Sequence, residues 1–124
     1  MATKANITID QATTQANIRI DQGADFSVDV ALTSSTDSPT NLTDYTVAAT
    51  IKKTHTSTDS VSFTTAITSP ATGGLITLSL TNVQTSNLSA GRYVYDVEIT
   101  DTVPSPDVIT RVLEGQVEVT PSVT

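Results

Sequence analysis

The chain has 124 residues, no Cys, one His and a formal net charge of −7. A length of this order supports one hydrophobic core without disulfide or metal staples, and the lack of thiols excludes disulfides and thiolate zinc sites. Six Lys and Arg against thirteen Asp and Glu make a surface that repels phosphate, which argues against nucleic acid and anionic membranes as partners.

Met1 to Asp10 contains no apolar run of the kind found in an export signal, and no stretch reaches the length of a membrane-spanning helix. Thr is the commonest residue, with Ser, Val and Ile abundant and Leu, Lys and Glu sparse. Thr, Val and Ile are stiff at χ1 and fit pleated strands better than helices.

The first segment contains an internal echo. Ala5-Asn6-Ile7-Thr8-Ile9-Asp10-Gln11 returns as Ala16-Asn17-Ile18-Arg19-Ile20-Asp21-Gln22. Both copies alternate with the period of a strand. They read either as two short β segments or as an extended arm, residues 1–22, that adds strands to a neighbour. The globular domain is then residues 23–124, and removing the arm is expected to leave it folded.

Phe26, Val28, Val30 and Leu32 alternate with Asp25, Ser27, Asp29 and Ala31, the pattern of a strand with one face in a core and one in water. Thr33 to Thr43 reads as a loop. Tyr45, Val47, Ala49 and Ile51 form the next inward row, and Val61, Phe63, Thr65 and Ile67 another. Ser69 to Gly74 is a turn rich in Pro and Gly, followed by a strand with Ile76, Leu78 and Leu80 inward.

Thr81 to Ser89 breaks the alternation. Thr81 or Asn82 can cap one helical turn there, with Val83 and Leu88 as its apolar residues. Tyr93, Tyr95, Val97 and Ile99 form one face of the next strand, and Pro104 and Pro106 mark a loop from Asp101 to Asp107. The final strand, Val108 to Val119, has Ile109, Leu113, Val117 and Val119 on one face and Val108 and Val112 on the other. Part of it is therefore expected to be covered on both sides. About seven short alternating strands separated by turns predict an all-β, two-sheet antiparallel sandwich, with a small barrel as the alternative. Leu88-Ser89-Ala90-Gly91-Arg92-Tyr93-Val94-Tyr95 suits the tyrosine corner of an immunoglobulin-like domain, where a Tyr hydroxyl bonds to upstream backbone.

Little in the chain points to catalysis. His55 follows Lys52, Lys53 and Thr54 at a hairpin end, and no glycine-framed Ser accompanies it. Asp25 with Asp29, and Asp96 with Glu98, read as solvated sheet faces. Asp101 to Asp107 supplies too few oxygens for a calcium loop. Asn6, Asn41 and Asn87 open glycosylation triplets that an abundance of Thr and Ser explains by chance. Tyr93 and Tyr95 have core spacing, and Arg92 and Arg111 are expected in water or paired with strand carboxylates. No catalytic, cofactor-binding or metal-ligating residue is assigned, and the chain is expected not to be an enzyme.

Three stretches taken in order carry a resemblance. They are Leu42-Thr43-Asp44-Tyr45 with Ile51-Lys52, then Ile76 to Leu80 leading to Ala90 to Asp101, and last Val112 to Pro121. The chain from about residue 20 to residue 121 resembles small immunoglobulin-like β-sandwich proteins of tailed-bacteriophage virions, and is similar to the N-terminal domain of upper-baseplate proteins. The resemblance implies a non-enzymatic structural protein of the tail or baseplate, the neck or the capsid surface. It would be made in the host cytoplasm and carried in the virion. Its partners would be other virion proteins, in multiple copies within a symmetric assembly. The alternative is a host-receptor or glycan-binding module on the virion.

Overall fold

In the computed structural model, residues 6–9, 14–33 and 38–123 are described, with side chains from residue 14 onward. The strands are β1 (Asn6–Ile9), β2 (Thr14–Gln15), β3 (Ile18–Asp21), β4 (Phe26–Leu32), β5 (Tyr45–Lys52), β6 (Ser60–Ser62), β7 (Thr64–Ile67), β8 (Leu75–Leu80), β9 (Gly91–Asp101) and β10 (Val108–Thr120). The helical elements among the described residues are a single 3-10 turn, Ala71–Gly73, and the short helix α1, Asn82–Ser86.

The strands form two sheets. One has the order β1-β4-β8-β7; the other has the order β2-β10-β9-β5-β6, with β3 also on β10. Alternation decides which residues lie between them. Phe26, Val28, Val30 and Leu32 from β4 and Ile76, Leu78 and Leu80 from β8 face Ala49, Ile51, Tyr95, Val97, Ile99, Leu113, Val117 and Val119 across the core. The expected all-β sandwich is what forms.

The echo in the sequence has a structural counterpart. Asn6–Ile9 runs parallel to β4, with Ile7 beside Val30 and Ile9 beside Leu32. Ile18–Asp21 runs parallel to β10, with Ile18 beside Val117 and Ile20 beside Val119. Each copy thus flanks one sheet of its own chain. Ile18 and Ile20 are buried in the core, so residues 14–21, read from the sequence as part of an arm, are strands of the sandwich. Residues 1–5 and 10–13 of that arm lie outside the described residues.

The inward row Val61, Phe63, Thr65 and Ile67 is shared between the sheets. β6 pairs with β5 in one, β7 pairs with β8 in the other, and the chain changes sheet at Phe63. Such crossings make the corners of sandwiches. The Phe63 ring fills this corner, 6.0 Å from Phe26 on one sheet and 6.4 Å, edge-on, from Tyr95 on the other.

Three positions differ from expectation. Leu42, in the segment read as a loop, is 1% exposed, and its N–H donates to the Ala71 carbonyl. In α1, Val83 faces water and Thr85 is the buried residue. The Thr85 hydroxyl donates to the Ala24 carbonyl at 2.8 Å and accepts from Gly23 N–H at 3.1 Å, so a polar side chain is fully satisfied in the core. The third difference is at the start of β10, where the alternation slips.

Candidate docking surface

The expected cap of α1 is present. Thr81 Oγ1 accepts from Gln84 N–H, and Gln84 Oε1 accepts from Thr81 N–H, a reciprocal capping box. Asp25 ties the same corner to β4 by accepting from the backbone and side-chain nitrogens of Asn82 at 2.7 and 3.0 Å. Asp29 accepts from the Thr77 hydroxyl across the outer face of its sheet. Both carboxylates therefore have structural partners on the surface.

The two tyrosines of β9 anchor backbone. Tyr93 Oη donates to the Ser89 carbonyl at 2.8 Å, the tyrosine corner that the Gly-bearing turn implied, and Lys53 Nζ sits 4.6 Å from its ring centroid. Tyr95 is 3% exposed, and its hydroxyl donates to the Ala16 carbonyl at 2.6 Å. That carbonyl approaches because the opposite residue on β10 is Gly115: a Cβ there would meet Ala16 O at 2.1 Å. Burial pushes the Tyr95 phenol far above its ordinary range. At Tyr45 the phenol is raised by desolvation first and then by the Asp101 carboxylate beside it.

The outer face of the β10-β9-β5 sheet carries a shallow, open depression of about 800 Å³, with Lys52, His55, Asp96, Arg111, Glu114 and Gln116 among its lining. Arg111 reaches Asp96 at 3.4 Å and Glu114 at 3.3 Å, as expected of a strand arginine among carboxylates. These partners are half exposed, so each pair contributes less than about 1 kcal/mol. His55 is exposed at the depression's edge with no hydrogen bond or ion pair to another described residue. Its sequence neighbours Thr54 and Thr56 bond within the turn, and among the described residues no three His, Asp or Glu side chains gather into a metal site. The floor mixes both signs of charge and has no exposed aromatic ring. It can exchange polar contacts with a neighbouring surface.

The hairpin joining β9 and β10 has a different character. Val112 is an extra residue between Arg111, opposite Glu98, and Leu113, opposite Val97. Counting back by twos from Leu113 predicts that Ile109 is buried. The bulge reverses the parity, so Val112 and Leu113 are both in the core and Ile109 is on the outer face, 62% exposed. Bulges commonly re-aim side chains in this way. Val108 and Val103 are also open to water, at 51% and 71%. The expected cover on both faces is not found: Val112 and Leu113 share the one core because of the bulge, and Val108 and Ile109 are exposed. Asp44, Asp101 and Asp107 surround this apolar end. Thr102 fastens it by donating through both N–H and hydroxyl to the Asp44 carbonyl.

Chain topology defines a two-sheet β-sandwich. No protein-family profile matches the sequence, and no curated protein does. Among solved structures the chain is similar to the N-terminal domain of phage TP901-1 ORF48, with a TM-score of 0.63 and 9% identity over 96% of this chain and 98% of that one. It is also similar to the cysteine protease inhibitor EhICP2 of Entamoeba histolytica, with a TM-score of 0.52 and 13% identity over 94% and 97% of the two chains. At such identities these likenesses establish the fold, which a phage domain and an inhibitor share.

Proposed function

We propose that this chain is a non-enzymatic structural subunit of a tailed-phage virion, holding its place by docking sheet edges and loops against neighbouring virion proteins. The observation that carries the reading is the end-to-end likeness to a domain of a phage protein, which spans 96% of this chain and 98% of that domain. The plainness of the surface supports it. Phe26, Phe63 and Tyr95 are buried, and Tyr45 and Tyr93 are partly so. That leaves no aromatic platform for stacking a sugar, which disfavours a glycan-binding module.

Antibody raised against the purified chain is expected to label tailed particles released by the cells that encode it, at a fixed position on each particle. Label recovered only in the soluble fraction would overturn the proposal. A glycan array with strong, saturable hits would favour the receptor-binding alternative instead.

A further inference from the structure

We propose that the outer face of the β10-β9-β5 sheet is self-complementary and docks a second copy of this chain, the two sheets packing face to face about a two-fold axis. Such a pair needs no other virion protein, so it goes beyond the reading above and does not depend on it. The first observation is the charge of this face. β3, β5, β9 and β10 turn Arg19, Lys52, Arg92 and Arg111 outward, together with Asp21, Asp96, Glu98, Glu114 and Glu118. Four cations against five carboxylates are close to balance, so most of the net charge of −7 lies on other surfaces. At physiological ionic strength those remote carboxylates are screened over about 8 Å.

The second observation is the order of charges along the strands. Registered neighbours form rows across the sheet. In the first row Arg92 and Glu118 are opposite one another, with Arg19 beyond. Next come Lys52, Val94 and Gln116, then Thr50, Asp96 and Glu114, then Ala48, Glu98 and Arg111. A two-fold axis crossing the strands at Tyr95 and Gly115 lays the first row of one copy over the last row of the other. Arg92 then meets Glu98 and Glu118 meets Arg111, and each contact occurs twice, as an isologous interface requires. Within one chain, neither Arg92 nor Glu118 has an ion pair to another described residue. Aligned sheets keep their strands within about 30° of each other, an offset that an Arg side chain spans.

The third observation is shape. Glu98 and Arg111 line the depression of about 800 Å³ on this face, while Arg92 stands beyond it, in a smaller recess with Arg19 and Glu118. The same axis brings Arg92 of each copy over the depression of the other. Four strands by four rows cover about 500 Å² of each copy, so the pair buries about 1,000 Å² in total, the lower bound for a specific interface. The dimer is therefore weak and depends on concentration.

Sedimentation of the whole chain at rising concentration is expected to show this dimer, and the backbone amides of residues 92–98 should shift on dilution. Arg92→Glu and Glu98→Arg should each weaken it at least about tenfold by placing like charges together. Mixed in equal amounts, the two variants should pair again, because both contacts are then between opposite charges. Arg92 and Glu98 are about 20 Å apart along one strand, too far to touch within a chain, so this recovery reads contact between copies. A chain that stays monomeric up to about 1 mM, variants that dimerise as the parent does, or a mixture that does not recover would overturn the proposal. So would shifts at residues 92–98 that another particle protein induces and dilution does not. Arg92 is exposed, so Arg92→Glu and the amide shifts keep the test decisive if Glu98→Arg does not fold. If the dimer forms but no particle carries the chain, the virion reading alone fails. If particles carry the chain and no dimer forms, this inference alone fails.

Discussion

At the scale of single residues, the contact most open to test is the one between Tyr95, Gly115 and Ala16. A methyl group at Gly115 would have to displace backbone, since Ala16 O and C lie 2.1 and 2.8 Å from the position of its Cβ. Gly115→Ala is therefore expected to cost about 2 kcal/mol or more in urea unfolding. Gly73→Ala, with nothing within 4 Å of the added Cβ, should be neutral or stabilising by about 0.5 kcal/mol. Equal effects of the two would show that the close approach of Ala16 does not constrain the fold.

The Tyr95 hydroxyl predicts a pH dependence. Its phenol ionises far less readily in the folded chain than in the unfolded one, whose phenols titrate near pH 10. Above that pH the unfolded state has lost a proton that the folded state retains, so stability falls as pH rises. The contribution is complete below about pH 10 and declines above it. Tyr95→Phe should flatten much of this alkaline loss, with Tyr45 contributing the remainder. At neutral pH it should cost about 1 to 2 kcal/mol by leaving the Ala16 carbonyl without its donor. Denaturant midpoints measured from pH 7 to pH 11 would separate the two effects.

At the scale of elements, α1 is held by polar bonds that hydrophobic patterning does not reveal. Thr85 was legible only as one of many Thr residues, yet its hydroxyl satisfies both Gly23 N–H and the Ala24 carbonyl. Thr85→Val keeps the shape and removes both bonds, so a loss of about 2 to 3 kcal/mol is expected in thermal or urea unfolding. Thr81→Ala, which deletes the cap, should cost about 1 kcal/mol. The cap was readable because Thr followed at three residues by Gln is a local signal. The buried Thr85 was not, because its partners are more than sixty positions away in the chain.

The β10 strand shows the same division. Val117 and Val119 are buried as their spacing implied. Ile109 has the same parity and is exposed, because one extra residue at Val112 interrupts the pairing with β9. Nothing about Val112 as a residue type marks it as a bulge. Its role comes from the register of a partner strand, and that register is fixed by burial along the whole hairpin.

At the scale of the molecule, the N-terminal segment decides how the sandwich is finished. β1 and β3 lie parallel to β4 and β10, while the other pairings among the described strands, apart from β2 with β10, are antiparallel. Removal of residues 1–22 would take Ile18 and Ile20 out of the core and uncover Val117 and Val119. We expect that truncation to abolish the cooperative thermal transition, measured by circular dichroism. A truncated chain that melts at the full-length temperature would mean that the segment is a detachable arm after all.

Most of the strands, the inward rows of the core and the capped turn were legible in the residue order, because period-two alternation and capping chemistry are local properties of a chain. That order also carried the resemblance to phage sandwich domains. Long-range pairing set the rest: Asn6–Ile9 and Ile18–Asp21 flank different sheets, one strand run is divided between sheets at Phe63, and Ile109 faces water. Those outcomes depend on which distant segments pair and in what register, and that choice is made by burying the apolar rows of two sheets against each other at once.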